Sequence, residues 1–156
     1  MTPAIRTAEK AGIAFTVHPY RHEPSAESFG SEAAEALGVA PERMFKTLVA
    51  QVDRSKLVLV LVPVAARLDL KALATALNAK KADLADPAAA ERATGYIIGG
   101  ISPLGGKKAL PTLIDASALE FETIYVSAGR RGLQMELAPR DLIALTSSLP
   151  APLATR

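Results

Sequence analysis

The chain has 156 residues, of which 49% are hydrophobic and 22% charged, with a formal net charge of +2. This composition predicts one packed domain over residues 1–156 and excludes a chain that charge repulsion keeps unfolded. The absence of cysteine excludes disulfides, thiolate metal sites and a cysteine nucleophile. The longest apolar stretch, Leu57 to Ala66, is too short for a membrane span, and the first residues lack a secretory signal, so we expect a cytoplasmic protein without a membrane partner.

The first half of the chain predicts two helices and three strands. Thr2 followed by Pro3 is typical of a helix start, and Ser31 predicts the cap of the second helix. The second and third strands are separated by three polar residues, which predicts an antiparallel hairpin. The predicted helices span residues 3–11 and 32–37, and the predicted strands span residues 15–20, 44–52 and 56–62.

The second half predicts further helices after Asp69 and Asp86, which can cap them, and a last helix from about Arg140. Three short strands are predicted over residues 112–115, 123–127 and 133–137. Strands and helices therefore interleave without a regular βαβ repeat, and several strands follow one another through short turns. This order favours an α+β fold with a mixed sheet or open barrel over a doubly wound fold.

Lys46 interrupts the apolar strand over residues 44–52. Because side chains alternate along a strand, Phe45 and Lys46 must point to opposite faces. Lys46 is then either a solvated lysine on an edge strand or a cation that faces a pocket, where an ammonium can hold a phosphate or polarise a carbonyl. The pattern alone leaves both interpretations open.

The segment from Gly99 to Gly106, called the glycine loop below, has four glycines and a proline in eight residues. Such a loop lets backbone N–H groups approach an anion or a developing oxyanion closely. It does not match a phosphate-binding P-loop, because Gly106 stands where that motif needs lysine. Nor is it a nucleophile elbow, because Pro103 follows Ser102. A plain cluster of turns is the alternative.

His18 and His22 are the only histidines. Pro19 argues against a helix here, and in a strand four residues span about 13 Å, which is too far for both rings to hold one ion. We therefore predict no metal site. No Ser and Asp stand near them in a pattern that predicts a hydrolase triad, although a triad assembled in space stays open. Tyr20 can contact a ligand or be a half-buried core residue.

Three basic pairs lie near predicted turns and would attract an RNA backbone if they shared one face. Scattered solvated pairs give the same pattern, and the small net charge does not by itself indicate a nucleic-acid partner. Ser127 and Gly129, at the end of a strand, suit either a binding site or a tight turn. The pairs are Lys80–Lys81, Lys107–Lys108 and Arg130–Arg131.

Taken in order and spacing, these motifs resemble the YbaK family of trans-editing deacylases, relatives of the editing domain of bacterial prolyl-tRNA synthetases. The resemblance runs nearly end to end. It implies a mixed, partly closed β-barrel with flanking helices and a pocket for the aminoacyl end of tRNA. The segments that carry it are 16–20, 29–30, 45–48, 68–71, 79–81, 94–96, 99–105, 125–129 and 131–133.

The resemblance also implies roles for single residues. Lys46 matches the signature lysine near the terminal nucleotide, and Gly99, Gly100 and Ile101 would form the backbone wall that faces the ester. Some relatives have an acidic residue where this chain has Gln134. Substrate contacts are implied for Tyr20, Phe29, Thr47, Ser102, Pro103, Ser127, Gly129 and Gln134.

The activity implied by the resemblance is deacylation of mischarged Cys-tRNA(Pro) without a cofactor. The cysteinyl thiol would attack its own ester carbonyl, so the enzyme would be a hydrolase, or lyase-like if a thiolactone is released. Prolyl-tRNA synthetase is the implied protein partner. Two alternatives remain: a deacylase for Ala-tRNA(Pro), in which water attacks, and a non-catalytic module that binds tRNA or the synthetase.

Overall fold

A computed structural model describes residues 1–24 and 28–155 of the chain. The helices are α1 (Pro3–Ala11), α2 (Phe29–Leu37), α3 (Leu70–Ala76), α4 (Pro87–Thr94) and α5 (Pro139–Thr146), with a short 3-10 helix at Ala116–Glu120. The strands are β1 (Phe15–Pro19), β2 (Phe45–Val52), β3 (Lys56–Pro63), β4 (Arg67–Leu68), β5 (Ala82–Leu84), β6 (Thr112–Asp115), β7 (Ile124–Arg130), β8 (Leu133–Leu137), β9 (Leu149–Ala151) and β10 (Ala154–Thr155). None of the described helices has the length and hydropathy of a membrane-spanning segment.

Polar side chains begin three of the helices as predicted. The side chains of Thr2, Asp69 and Asp86 accept hydrogen bonds from backbone N–H groups in the first turns of α1, α3 and α4. These caps satisfy donors that have no partner inside the helix. The three predicted helix starts are therefore confirmed.

The predicted start of α2 is wrong. Ser28, not Ser31, is the cap, and its hydroxyl accepts a hydrogen bond from the N–H of Ser31 at 3.3 Å. Ser31 therefore lies inside the first turn, and the helix begins at Phe29. The earlier start brings Gly30 against Val64, where a Cβ on Gly30 would lie 2.8 Å from a Val64 methyl group. The glycine thus permits close packing of α2 on the chain after β3.

The strands form three sheets. The largest has the order β5-β2-β3-β6-β9, the second has the order β1-β8-β7, and β10 pairs with β4. The predicted β2–β3 hairpin is antiparallel and is confirmed, whereas β3, β6 and β9 are parallel. The α+β class is also confirmed. Pairing among the described strands does not form a closed ring, so the partly closed barrel stays a prediction, as does the single domain over residues 1–156.

The two larger sheets meet at one point and then separate. Met44 and Tyr125 form an isolated parallel bridge, and Tyr125 N–H donates to the Arg43 carbonyl at 3.1 Å. Farther along β2, strand β5 pairs only with residues 50–52. Between these points, residues 46–48 have no strand partner among the described residues on the side of β2 that faces away from β3.

The side chains of β2 alternate between two hydrophobic clusters. Phe45 and Val49 belong to the larger cluster, which lies between β2 and the β1-β8-β7 sheet, while Leu48 and Ala50 pack in the cluster beneath α3. Lys46 shares the second set of positions, so Phe45 and Lys46 point to opposite faces as predicted. The open edge of β2 is consequently flanked by side chains of both faces.

Candidate active site beside the open edge of β2

A cavity of about 410 Å³ follows the open edge of β2 and is closed by the start of α2, the glycine loop and the paired ends of β7 and β8. Side chains from both faces of β2 line it because the cavity lies along the strand edge. The predicted site residues that line it are Phe29, Lys46, Thr47, Gly99, Ile101, Ser127 and Gln134.

Main-chain groups of β2 also face this cavity. Val64 N–H donates to the Met44 carbonyl at 2.7 Å, on the β3 side, and Ala85 N–H donates to the Val49 carbonyl at 2.9 Å, on the opposite side. Because backbone groups alternate in direction along an antiparallel strand, the N–H and C=O of Thr47 point to the same side as those of Val49. They therefore lie on the open edge that lines the cavity.

Lys46 is the one charged side chain among the described residues that line the cavity. No described carboxylate lies within ion-pair distance of it. Burial, with a smaller contribution from the positive charge of Arg67, lowers the pKa of the Lys46 ammonium. A partly desolvated cation that has no counter-charge among the described residues is suited to an anionic ligand such as a phosphate.

Two buried side-chain polar atoms in the described chain lack a hydrogen-bond partner, and both belong to residues of this cavity. They are Thr47 Oγ1 and Gln134 Oε1. Gln134 lies on β8 opposite Ser127 of β7, whose hydroxyl oxygen accepts the N–H of Gly129 at 3.1 Å. Buried polar atoms are nearly always paired in folded proteins, so these two indicate a site that a ligand or ordered water completes.

The glycine loop contributes Gly99 and Ile101 to the cavity lining, and its backbone donors differ in whether they have a partner. Gly99 has a φ of +88°, a conformation that favours glycine. The N–H of Gly100 donates to the Ile97 carbonyl at 2.9 Å, whereas the N–H groups of Gly99 and Ile101 have no acceptor among the described residues. Two of the three predicted wall residues thus keep a donor available for a ligand oxygen.

Phe29 forms a wall of the cavity and is held between two groups. A Cβ on Gly99 would lie 2.7 Å from Phe29 Cγ, so the ring packs directly on the glycine. The guanidinium of Arg131 lies 4.5 Å from the ring centroid, and Arg131 Nε donates to the Ile98 carbonyl at 2.9 Å. Arg131, noted in the sequence only as part of a basic pair, joins Phe29 to the glycine loop.

Five predicted site residues lie outside the described cavity lining. Tyr20 packs against the Met44 and Tyr125 cluster, and Gly129 lies close to Thr2 and Tyr96. Ser102 is 1% exposed, and its hydroxyl accepts the N–H of Leu104 at 3.2 Å.

The other two of these five are also buried. Pro103 lies buried in the loop. Gly100 packs on the backbone of Arg130, where a Cβ would lie 2.7 Å from the Arg130 Cα. Substrate contacts by all five residues stay a prediction.

Apolar residues that the sequence did not single out form the remaining wall. Leu84, Ala85 and Pro87, from β5 and the start of α4, line the cavity together with Ala90. Leu84 is 58% exposed, which is unusual for a large apolar side chain next to a cavity. The sequence there resembles an ordinary turn before a helix cap, so it carries no signal for a pocket.

The two histidines lie outside this cavity and pair with separate carboxylates. His18 Nε2 is 2.9 Å from Glu136 Oε1, and His22 Nδ1 is 2.8 Å from Glu32 Oε1. A group of three metal-ligating side chains is not found within the described residues. Each histidine therefore has a structural partner, and neither hydrogen-bonds to a serine within the described chain.

Comparison with known proteins decides the family. The model of the aminoacyl-tRNA editing domain matches residues 22–145. The chain belongs to the aminoacyl-tRNA editing domain family. The matched region contains every described residue that lines the cavity, from Ser28 to Gln134.

Similar proteins agree with this editing-domain assignment. The chain is 38% identical over 99% of its length, and 94% of the relative, to the Enterococcus faecalis protein named "Putative Cys-tRNA(Pro)/Cys-tRNA(Cys) deacylase EbsC". A solved structure described as "a putative trans-editing enzyme for prolyl tRNA synthetase" has a TM-score of 0.84 and 26% identity, covering 100% of this chain and 99% of that chain. The structure of hypothetical protein APE2540, with a TM-score of 0.86 and 22% identity over 98% and 99% of the two chains, shares the fold.

Proposed function

We propose that this editing domain deacylates mischarged Cys-tRNA(Pro), with the aminoacyl end of the tRNA bound in the cavity beside β2. The observation that carries the proposal is the composition of the cavity. Among the described residues, it combines a cation without an ion-pair partner, Lys46, with the N–H donors of Gly99 and Ile101, which have no acceptor there, while no carboxylate, histidine or cysteine is among its described lining residues. Such a set can bind and polarise an ester and lacks an evident side chain to activate a nucleophile.

In the proposed reaction the nucleophile comes from the substrate. The deprotonated thiol of the cysteinyl group attacks its own ester carbonyl, so a carbon–sulfur bond forms and the carbon–oxygen bond to the tRNA breaks. The 3'-oxygen of the tRNA leaves and takes up a proton, and water then hydrolyses the thiolactone. The name of the E. faecalis relative supports cysteine as the amino acid.

In this scheme the chain's own groups position the substrate and stabilise the negative charge that develops on its carbonyl oxygen. The N–H groups of Gly99 and Ile101 donate to the carbonyl oxygen as negative charge develops on it. Lys46 holds a phosphate or the terminal adenosine and does not act as a base. Holding the thiol next to the carbonyl supplies much of the rate, because correctly oriented intramolecular attack avoids the entropy cost of a bimolecular encounter.

A separate editing enzyme has a physical justification. A synthetase pocket discriminates by only about 1 to 3 kcal/mol against an amino acid that differs by one methylene group, so errors need a second hydrolytic site. The description of the solved relative supports prolyl-tRNA synthetase as the partner that brings tRNA(Pro). The cytoplasmic location and the absence of a cofactor remain predictions.

Single-turnover deacylation of Cys-tRNA(Pro) by Lys46→Ala tests the proposal. We expect the rate or the affinity for the tRNA to fall about 10- to 100-fold, the effect of losing one charge-assisted contact in a partly buried site. Lys56→Ala is the matched control, because Lys56 is an exposed lysine at the far end of the same hairpin. Wild-type activity in Lys46→Ala would remove Lys46 from the site.

A further inference from the structure

The unpaired oxygens of Gln134 and Thr47 indicate which part of a ligand they meet. Gln134 is 7% exposed, and its Oε1 has no partner among the described residues; Thr47 Oγ1, from β2, lines the same cavity and has none either. Leaving a buried acceptor unpaired costs free energy, so this pair of atoms is complete only when something in the cavity supplies hydrogen bonds.

The polar groups of the cavity differ in what they can bind. Lys46 and the N–H groups of Gly99 and Ile101 are donors and suit phosphate or carbonyl oxygens. Gln134 Oε1 is an acceptor and needs a donor from the ligand, while the Thr47 hydroxyl can act either way. In an aminoacyl ester the carbonyl is the acceptor, and the α-amino group is the donor that nearly all amino acids share. The donors of the cavity therefore match the ester carbonyl, and its acceptors match the α-amino group.

We propose that Gln134, together with Thr47, holds the α-amino group of the aminoacyl ester and so determines specificity for esters with a free amino group. The inference rests on the proposed function, because that function makes the ligand an aminoacyl ester. Gln134 Oε1 accepts an N–H of the amino group, and the Thr47 hydroxyl makes a second hydrogen bond. Recognition is through neutral oxygens, because no carboxylate is among the described lining residues. An ester without the amino group leaves both atoms unpaired, which is a strong basis for discrimination.

Two ligands that differ only in this amino group provide the test. They are 3'-deoxyadenosines that carry an alanylamino or a propionylamino group at the 3'-position, and neither is an ester that the enzyme can hydrolyse. Isothermal titration of the full-length protein should give an affinity for the alanyl compound about tenfold or more above that for the propionyl compound.

Substitutions of Gln134 and Thr47 test whether these residues cause the difference in affinity. In Gln134→Met, which keeps the side-chain length and removes the amide, the affinity ratio should fall toward one, and Thr47→Val should lower it independently. Gln51→Met is the matched control, because the Gln51 amide lies outside the cavity and donates to the Arg54 carbonyl at 2.7 Å. Its ratio should equal that of the wild type.

Three results would overturn the α-amino site: equal affinity of the wild type for both compounds, a wild-type ratio in both Gln134→Met and Thr47→Val, or no binding of either compound. Failure of the wild type to deacylate Cys-tRNA(Pro) would instead contradict the proposed function. The binding ratio does not depend on hydrolysis, so the two failures are distinguishable.

Discussion

Gln134 and Glu136 lie two residues apart on the same face of β8, yet their surroundings differ. Glu136 Oε1 pairs with His18, while Oε2 accepts hydrogen bonds from the Thr123 hydroxyl at 2.6 Å and from Arg43 at 3.2 Å. Gln134 Oε1 has no partner among the described residues. At one end of the β7–β8 hairpin both carboxylate oxygens of Glu136 therefore have protein partners. At the end next to the cavity, Gln134 keeps an acceptor available. This difference separates a polar group that stabilises the fold from one that suits a ligand.

The cavity end of the hairpin depends on the packing of the glycine loop, and Gly100→Ala should have the largest effect on stability. A Cβ there would lie 2.7 Å from Arg130 Cα and 2.9 Å from Arg131 N, and backbone atoms cannot move aside as a flexible side chain can. We expect the free energy of unfolding to fall by about 3 kcal/mol, measured by urea denaturation.

Gly106→Ala is the control for this prediction, because the nearest atom to its Cβ would be 3.5 Å away. Its stability should stay within about 0.5 kcal/mol of the wild type. Equal effects of the two substitutions would show that the loop does not pack tightly on β7.

Glu136→Met tests how much the paired carboxylate of Glu136 contributes to stability. The substitution removes the hydrogen bonds of Glu136 to Thr123 and His18 and leaves Arg43 without its carboxylate, so we expect a loss of about 2 kcal/mol in urea denaturation at pH 7. An unchanged stability would mean that these contacts contribute little.

The same variant has a characteristic pH dependence. The hydrogen bond from Thr123 is the largest cause that lowers the pKa of Glu136 below its ordinary value of 4.5, followed by that from His18. A carboxyl with a lowered folded-state pKa stabilises the protein above the unfolded value, and the contribution is lost as pH falls through the folded value. The stability difference between wild type and Glu136→Met should therefore shrink below about pH 4.5. A difference that stays constant into acid would contradict this origin.

Gln134→Met should have the smallest effect on stability, and it tests the difference between Gln134 and Glu136 most sharply. Because Oε1 has no partner to lose among the described residues, replacing the amide by an apolar group should leave the free energy of unfolding unchanged or raise it by up to about 1 kcal/mol. Urea denaturation beside Glu136→Met gives the direct comparison. Destabilisation as large as that of Glu136→Met would show that Gln134 supports the fold.

Local signals predicted part of this architecture. The caps Thr2, Asp69 and Asp86 were predictable because each side chain bonds to a backbone N–H in the next turn. Ser31 misled because Ser28, three residues earlier, is an equally good cap. Strands such as β4 and β10 have two residues each and exist through pairing with each other across a long stretch of chain, which leaves no periodicity to detect.

The candidate site was predictable to a similar extent. The cavity collects Lys46 and part of the glycine loop, two features that the sequence singled out and for which the family resemblance implied a role. The alternation of side chains along β8 puts Gln134 and Glu136 on one face. The sequence does not show that Glu136 is paired and Gln134 is not, because this depends on partners from β1, β7 and the loop before β2. The apolar wall around Leu84 likewise depends on where β5 ends beside β2.

The source of the nucleophile is tested most directly by comparing tRNA(Pro) esters of cysteine and S-methylcysteine in single-turnover deacylation, with alanyl-tRNA(Pro) as a third substrate. The proposal predicts rapid clearance of the cysteine ester and at most slow clearance of the other two, because only cysteine carries an attacking thiolate. Equal clearance of all three would show that water attacks, and tRNA binding without deacylation would identify a non-catalytic module.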